Sequence, residues 1–156
     1  MTNPKSPNEM TKPPILPPNM RALPVAAGLI SEGERILVTR RKKGASYGLF
    51  WEFPGGKIEN EEEPRQALQR ELKEELGIRV EVRDLFEVVF YNEDTRPVLL
   101  LVFRCRIEEG IPEPRGVHEL RWVKPEEIAG LRMPPADHPI QKRLSRQGAR
   151  SWPERS

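Results

Sequence analysis

Residues 56–78 read GKIENEEEPRQALQRELKEELGI, and no other stretch restricts the fold of this chain as tightly. Pro64 suits the first turn of a helix, where a missing N–H costs nothing. Ala67, Leu68, Gln69, Leu72 and Leu76 are good helix formers, and Gly77 supplies a C-terminal stop. At about 100° per residue, Leu68, Leu72 and Leu76 form one apolar stripe, so this helix must pack on a core. Glu71, Glu74 and Glu75 stand at i, i+3 and i+4 and share a second face roughly 110° from that stripe. Carboxylates so placed repel by about 0.2–0.5 kcal/mol per exposed neighbouring pair. Partial burial raises that cost. A divalent cation removes it, and oxygen-only ligands favour Mg²⁺ or Mn²⁺ over zinc. The ordinary alternative is a solvated acidic face, the usual fate of a charge run.

The wider spacing speaks against that alternative. Gly56, Glu62, Arg70, Glu71, Glu74, Glu75 and Gly77 fall at set intervals, with aliphatic Leu72 and Ile78 in the remaining slots. At a usage of about 6–7% per fixed position, a chance match in a chain this long is on the order of one in a million. The pattern is the Nudix box. The chain therefore resembles the Nudix hydrolases, metal-dependent enzymes that cleave a nucleoside diphosphate linked to another group. The preceding Trp51-Glu52-Phe53-Pro54-Gly55-Gly56-Lys57 resembles the MutT branch, which hydrolyses nucleoside triphosphates.

The resemblance spans roughly residues 22–147 and implies an α/β fold, the family's α/β/α sandwich with a mixed β-sheet. It implies that the Gly55 carbonyl, Glu71, Glu74 and Glu75 hold the metal. It also implies a Glu62–Arg70 ion pair at the loop–helix junction, with Arg70 orienting Glu71 as a supporting residue. Glu71, Glu74, Glu75 and Arg70 then form the catalytic set, and Gly56, Glu62 and Gly77 are structural members of the motif. The glycine pair Gly55-Gly56 reads locally as a sharp turn that brings bare backbone close to a neighbour.

Hydrophobic patterning extends this outline. Val25–Ser31 and Arg35–Arg40 are expected as a hairpin around Glu32-Gly33. Arg41–Leu49 reads as a basic loop and Trp51–Phe53 as a short extended piece. Long strands are expected over Arg79–Tyr91 and Pro97–Ile107, and a short one over Glu119–Val123. A short helix begins at Pro125 and an amphipathic one covers Ala136–Ser145. Residues 1–21 carry six prolines among polar residues and read as a disordered or polyproline-like tail. Met20 is a candidate alternative start, and residues 148–156 read as a frayed tail.

The 156 residues suffice for one domain with a proper core. A net charge of +2 gives no global field that points to nucleic acid or to a membrane. The single cysteine, Cys105, excludes an internal disulfide. Alternating with Phe103 and Ile107, it reads as a buried packing thiol. With no apolar run near eighteen residues and no signal-peptide core, the expected compartment is cytoplasmic. The oligomeric state stays open between monomer and homodimer.

Subfamily features favour the MutT branch. Where the family's ADP-ribose hydrolases carry a proline this chain has Glu93, and where its dinucleoside polyphosphate hydrolases carry a tyrosine it has Thr95. The MutT-like segments are Val38-Thr39-Arg40-Arg41, WEFPGGKIE and Met133-Pro134-Pro135-Ala136-Asp137. The expected substrate-binding residues are Arg41 and Lys57 for phosphates, and Phe53 and Asp137 for the base. Arg40 should point away from Arg41. MutT itself has asparagine where this chain has Asp137. An ionised carboxylate only accepts hydrogen bonds, so Asp137 is expected to read donor edges; the competing reading is an N-cap of the last helix. Gly116 replaces a glutamate that the family often has, and Glu113, His118 and Glu119 are the candidates to substitute for it.

The expected activity is Mg²⁺-dependent (or Mn²⁺-dependent) cleavage of a nucleoside triphosphate, an oxidised purine such as 8-oxo-dGTP ranking first, to monophosphate and pyrophosphate. CTP or a modified pyrimidine nucleotide is the alternative substrate. The rivals from other classes are a non-catalytic Nudix-fold sensor and a base-reading repair module, which an intact set of glutamates disfavours.

Overall fold

The computed structural model describes residues 22–92 and 96–147. The segments 1–21 and 148–156, and the positions Glu93 and Thr95, lie outside the described residues.

Strands β1 (Leu23–Glu32) and β2 (Arg35–Arg40) form the expected hairpin, turning at Gly33 with a φ of 62°. They pair only near the turn, Ser31 with Ile36 and Glu32 with Arg35. From there β1 diverges into a second set of strands. It runs parallel to β6 (Pro97–Glu109) from Leu23↔Val98 to Ile30↔Cys105, and antiparallel to β4 (Gly55–Lys57) on its other edge. The outer strand β5 (Arg79–Asn92) is antiparallel to β6. On the other side β2 pairs antiparallel with β3 (Trp51–Glu52) and β7 (Glu119–Val123). The sheet is therefore mixed, as expected.

Helix α1 (Pro64–Leu76) opens with Pro64 in its first turn and ends on Gly77, whose φ of 72° is left-handed. Glu63 caps its start by accepting from the Arg65 and Gln66 amides. Leu68, Leu72 and Leu76 are fully buried against Ala26, Ile30, Phe103 and Cys105 on one face of the sheet. The opposite face, through Ala27, Leu29, Leu100 and Val102, packs on Ile128 of α2 (Pro125–Ile128) and on Ile140 and Leu144 of α3 (His138–Gln147). Period-two alternation along β1 thus feeds both cores, which gives the α/β/α layering. Cys105 is buried, and burial pushes its thiol up, away from nucleophilic use. Among the described residues no helix is long and apolar enough to cross a membrane.

Two expectations need correction. The last helix starts at His138, because Pro135–Asp137 tighten into a 3-10 turn before it. Gly55 and Gly56 are a strand and not a turn; the chain bends at Pro54 and then pairs with β1. The glycines are there for close approach. A Cβ on Gly55 would run into the Ala26 carbonyl and sit 2.7 Å from Ala27 Cα, both rigid backbone atoms. Gly55→Ala is therefore expected to destabilise by ~2–3 kcal/mol, a fall of roughly 10 °C in melting temperature by calorimetry. An unchanged melting temperature would show that β1 and β4 can separate at no cost.

Candidate active site

The end of the sheet where β4 meets α1 carries a cleft of about 650 Å³. Its apolar part comes from Leu23, Val25 and Ala27 of β1, Val98 and Leu100 of β6, and Phe53. Its polar part is Arg41, Glu52, Glu59, Glu71, Glu75 and Asp137, with Lys57 at the exposed mouth. Phe53 faces the cleft, whereas Trp51 is buried in the core between the Arg40 and Arg121 guanidinium groups. Arg40 and Arg41 diverge as strand alternation requires: Arg40 pairs with Glu119 and Arg41 turns into the cleft.

Arg70 organises the helix end of the site. It binds Glu62 through two bonds, Nε to Oε2 at 2.8 Å and Nη2 to Oε1 at 3.0 Å. Nη1 donates to Glu71 at 3.1 Å and to Glu74 at 3.3 Å, and Nη2 to the Lys57 carbonyl at 3.1 Å. One planar cation therefore ties the loop after β4 to the helix and fixes the Glu71 carboxylate. That carboxylate lies over the bare backbone of Gly56, where a Cβ would overlap it.

The three helix glutamates do not behave alike. Glu71 and Glu75 line the cleft, while the Glu74 side chain is 61% exposed and leans on Arg70. Among the described residues no three His, Cys, Asp or Glu side chains converge as a ready-made metal cage. Of the three carboxylates expected on one face, Glu71 and Glu75 line the cleft, and Glu74 lies at its rim within reach of Arg70 Nη1. Glu75 is the most perturbed of the three. Burial first, then the charges of Glu71 and Glu52, push it up to about 8 against the partial relief of Arg41. Its Oε1 is buried with no hydrogen-bond partner. Glu71 and Glu52 are also raised, by burial ahead of the opposing pull of Arg70 and Arg41 respectively. Asp137 is raised well above its usual value by burial and then by Glu52.

Every one of these groups holds a proton in the fold at pH values where the unfolded chain has released it. The Glu75 contribution is therefore complete below about pH 4.5 and is lost as pH rises through about 8. Thermal unfolding in chelator across that window should show the melting temperature declining. A flat profile would mean that these carboxyls are not held in a protonated cluster.

A model of the NUDIX domain matches residues 20–147. The chain belongs to the Nudix family. Its relatives include an 8-oxo-dGTP diphosphatase of Escherichia coli K12, 37% identical over 131 residues that cover 81% of this chain and 99% of that protein. A CTP pyrophosphohydrolase of the same organism is 33% identical over 121 residues, 78% of this chain and 90% of that protein. Among solved structures, the solution structure of the E. coli ORF135 protein superimposes with a TM-score of 0.69 at 32% identity, covering 79% of this chain and 88% of that one.

Within this Nudix domain, none of the three candidates to replace a loop glutamate reaches the cleft. Glu113 pairs with Arg115, Glu119 pairs with Arg40, and His118 is exposed. Gly116 itself packs on the helix: its amide donates to the Glu75 carbonyl at 3.0 Å, and a Cβ there would sit 3.2 Å from Glu75 Cα. A side chain at 116 would be tight against the helix, and Glu75 or the loop would have to give by a few tenths of an ångström. Two cleft-lining acidic residues, Glu52 and Glu59, are not among those expected from sequence, and Glu52 lies deeper. It lies inside the quoted WEFPGGK motif, but nothing local distinguishes a cleft carboxylate from an exposed strand residue.

Proposed function

We propose that this Nudix hydrolase is a Mg²⁺-dependent pyrophosphohydrolase that converts a nucleoside triphosphate to monophosphate and pyrophosphate. The observation that carries this is the buried, unpartnered Glu75 Oε1, in a cleft that Glu71 and the half-buried Gly55 also line. A carboxylate in that position lacks a counter-charge, and an all-oxygen donor set of Glu71, Glu75 and the Gly55 carbonyl suits a hard divalent cation. Glu74, at the rim one helical turn from Arg70, is the third carboxylate of the proposed set. When bound, such a cation neutralises phosphate oxygens and lowers the pKa of the attacking water.

The protein's own groups supply the rest. Arg41 and Lys57 hold the polyphosphate, and Arg70 keeps the Glu71 oxygens aimed into the cleft. Water adds at the β-phosphorus and the bond from that phosphorus to the α-bridging oxygen breaks. Monophosphate leaves, pyrophosphate keeps the water oxygen, and a cleft glutamate takes the proton. Phe53 and the β1–β6 apolar wall pack the base, with Asp137 at its polar edge.

The 8-oxo-dGTP diphosphatase relative supports an oxidised purine nucleotide as substrate. The CTP pyrophosphohydrolase relative supports a second reading, a pyrimidine nucleoside triphosphate. A screen of oxidised and ordinary dNTPs, NTPs, ADP-ribose and dinucleoside polyphosphates with Mg²⁺, resolved by chromatography, tests both. Preferred turnover of a triphosphate is the expected result. Preference for ADP-ribose or a dinucleoside polyphosphate by tenfold would overturn the assignment. Added Mg²⁺ is also expected to reverse the alkaline loss of stability, since the metal takes the place of the protons.

A further inference from the structure

Glu52 stands on the cleft wall outside the Nudix box, and its bonding is specific. Its Oε1 accepts from Arg41 Nη1 at 2.8 Å, and the same guanidinium donates from Nε to the Ser46 carbonyl at 2.6 Å. Among the described residues no hydrogen bond occupies Arg41 Nη2, so that donor remains for a ligand. The Glu52 side chain is 20% exposed, and its backbone is set by strand pairing, Thr39↔Glu52 and Arg40↔Trp51. Arg41 follows immediately on β2, so one strand register fixes both ends of the pair. The buried neighbours Trp51 and Phe53 pin β3 in turn.

We propose that Glu52 is a positioning residue, holding the Arg41 guanidinium on the cleft wall where it meets a substrate phosphate. This rests on the nucleotide reading above. A free arginine side chain has many rotamers to lose on binding, and a fixed partner removes that cost beforehand. The pairing has a second effect. Glu75 and Asp137 both lie within the influence of the Arg41 charge. An untethered guanidinium is drawn to the Glu71–Glu75 carboxylates, where it competes with the cation those groups would bind. Glu52 keeps it at a distance.

The test is a set of four proteins: Glu52→Ala, the isosteric Glu52→Gln, Arg41→Ala and the double variant with alanine at both positions. Loss of one charge-assisted bond predicts that Glu52→Ala raises KM for the nucleotide about tenfold, with kcat within about threefold. Glu52→Gln, which keeps an acceptor in place, should recover part of that loss. The double variant should be no worse than Arg41→Ala, as two residues acting through one contact require. Additive losses, or a collapse of kcat at unchanged KM, would overturn the proposal. So would loss of Mn²⁺ binding in Glu52→Gln by electron paramagnetic resonance, which would make Glu52 a metal ligand. The Arg41 Nη1–H resonance, whose donor Glu52 accepts, reads the tether without any substrate: slow guanidinium rotation and exchange in the wild type and fast exchange in Glu52→Ala are expected. Unchanged exchange refutes the tether even if the protein hydrolyses no nucleotide, so that failure stays separate from failure of the proposed activity.

Discussion

Replacing Glu75 with glutamine is expected to lower kcat for triphosphate hydrolysis by about a thousandfold, the scale of losing a preorganised charge at the reacting centre. Glutamine matches the volume, so the helix and its Leu72 and Leu76 packing stay intact. What it removes is the negative charge, and it adds an N–H₂ donor where the wild type offers a buried oxygen with no partner. Glu71→Gln should fall in the same range, because Glu71 also lines the cleft and Arg70 holds one of its oxygens. Glu74→Gln should cost nearer tenfold, since that carboxylate is 61% exposed at the rim. Steady-state pyrophosphate release across a Mg²⁺ titration separates the three. Turnover of Glu75→Gln within tenfold of the wild type would end the assignment of Glu75 to the chemistry. Equal losses at all three positions would show that the cation recruits Glu74 fully into the site.

The second large effect is expected at Asp137. Asp137→Ala should reduce kcat/KM about a hundredfold, whereas Asp137→Asn should stay within about fivefold of the wild type. The sequence pattern treats this residue as an ionised acceptor, and its burial raises the alternative that it reads the base as a neutral acid. Asp137 is 7% exposed and closes a 3-10 turn; burial, then the Glu52 charge, raises its carboxyl well above the usual range. A neutral carboxylic acid both donates and accepts, as an asparagine amide does. It can therefore offer a proton to a ring carbonyl and accept one from a ring N–H or amino group, on an oxidised purine or on cytosine. The assay is kcat/KM on 8-oxo-dGTP and on CTP for the three proteins. If the group reads the base as a carboxylate, the asparagine variant will fail as badly as the alanine one, and the protonated form will have been the wrong description. The ratio between the two substrates in the wild type decides which base this edge serves.

Much of the site was legible before any coordinates. Helical spacing places Leu68, Leu72 and Leu76 on one side and Glu71, Glu74 and Glu75 on another; the leucines are buried, and of the glutamates Glu71 and Glu75 line the cleft. Pro64 and Gly77 mark its ends within the chain's own local chemistry. The Glu62–Arg70 pair follows the family resemblance and is realised through two bonds. Strand alternation likewise separates Arg40 from Arg41.

Other features depend on partners distant in the chain. Gly55 and Gly56 look like a turn until β1 arrives to pair with them. Arg70, an i,i+4 neighbour of Glu74, is itself held by Glu62 eight residues back, and that pair closes the loop onto the helix. Glu52 enters the site because β3 is stitched to β2, which delivers Arg41 to it. Periodicity and capping are set by residues within a turn of one another, so a string of letters determines them. Which carboxylate loses its water, and which cation stands beside it, depends on how separate segments stack, and only the folded chain decides that.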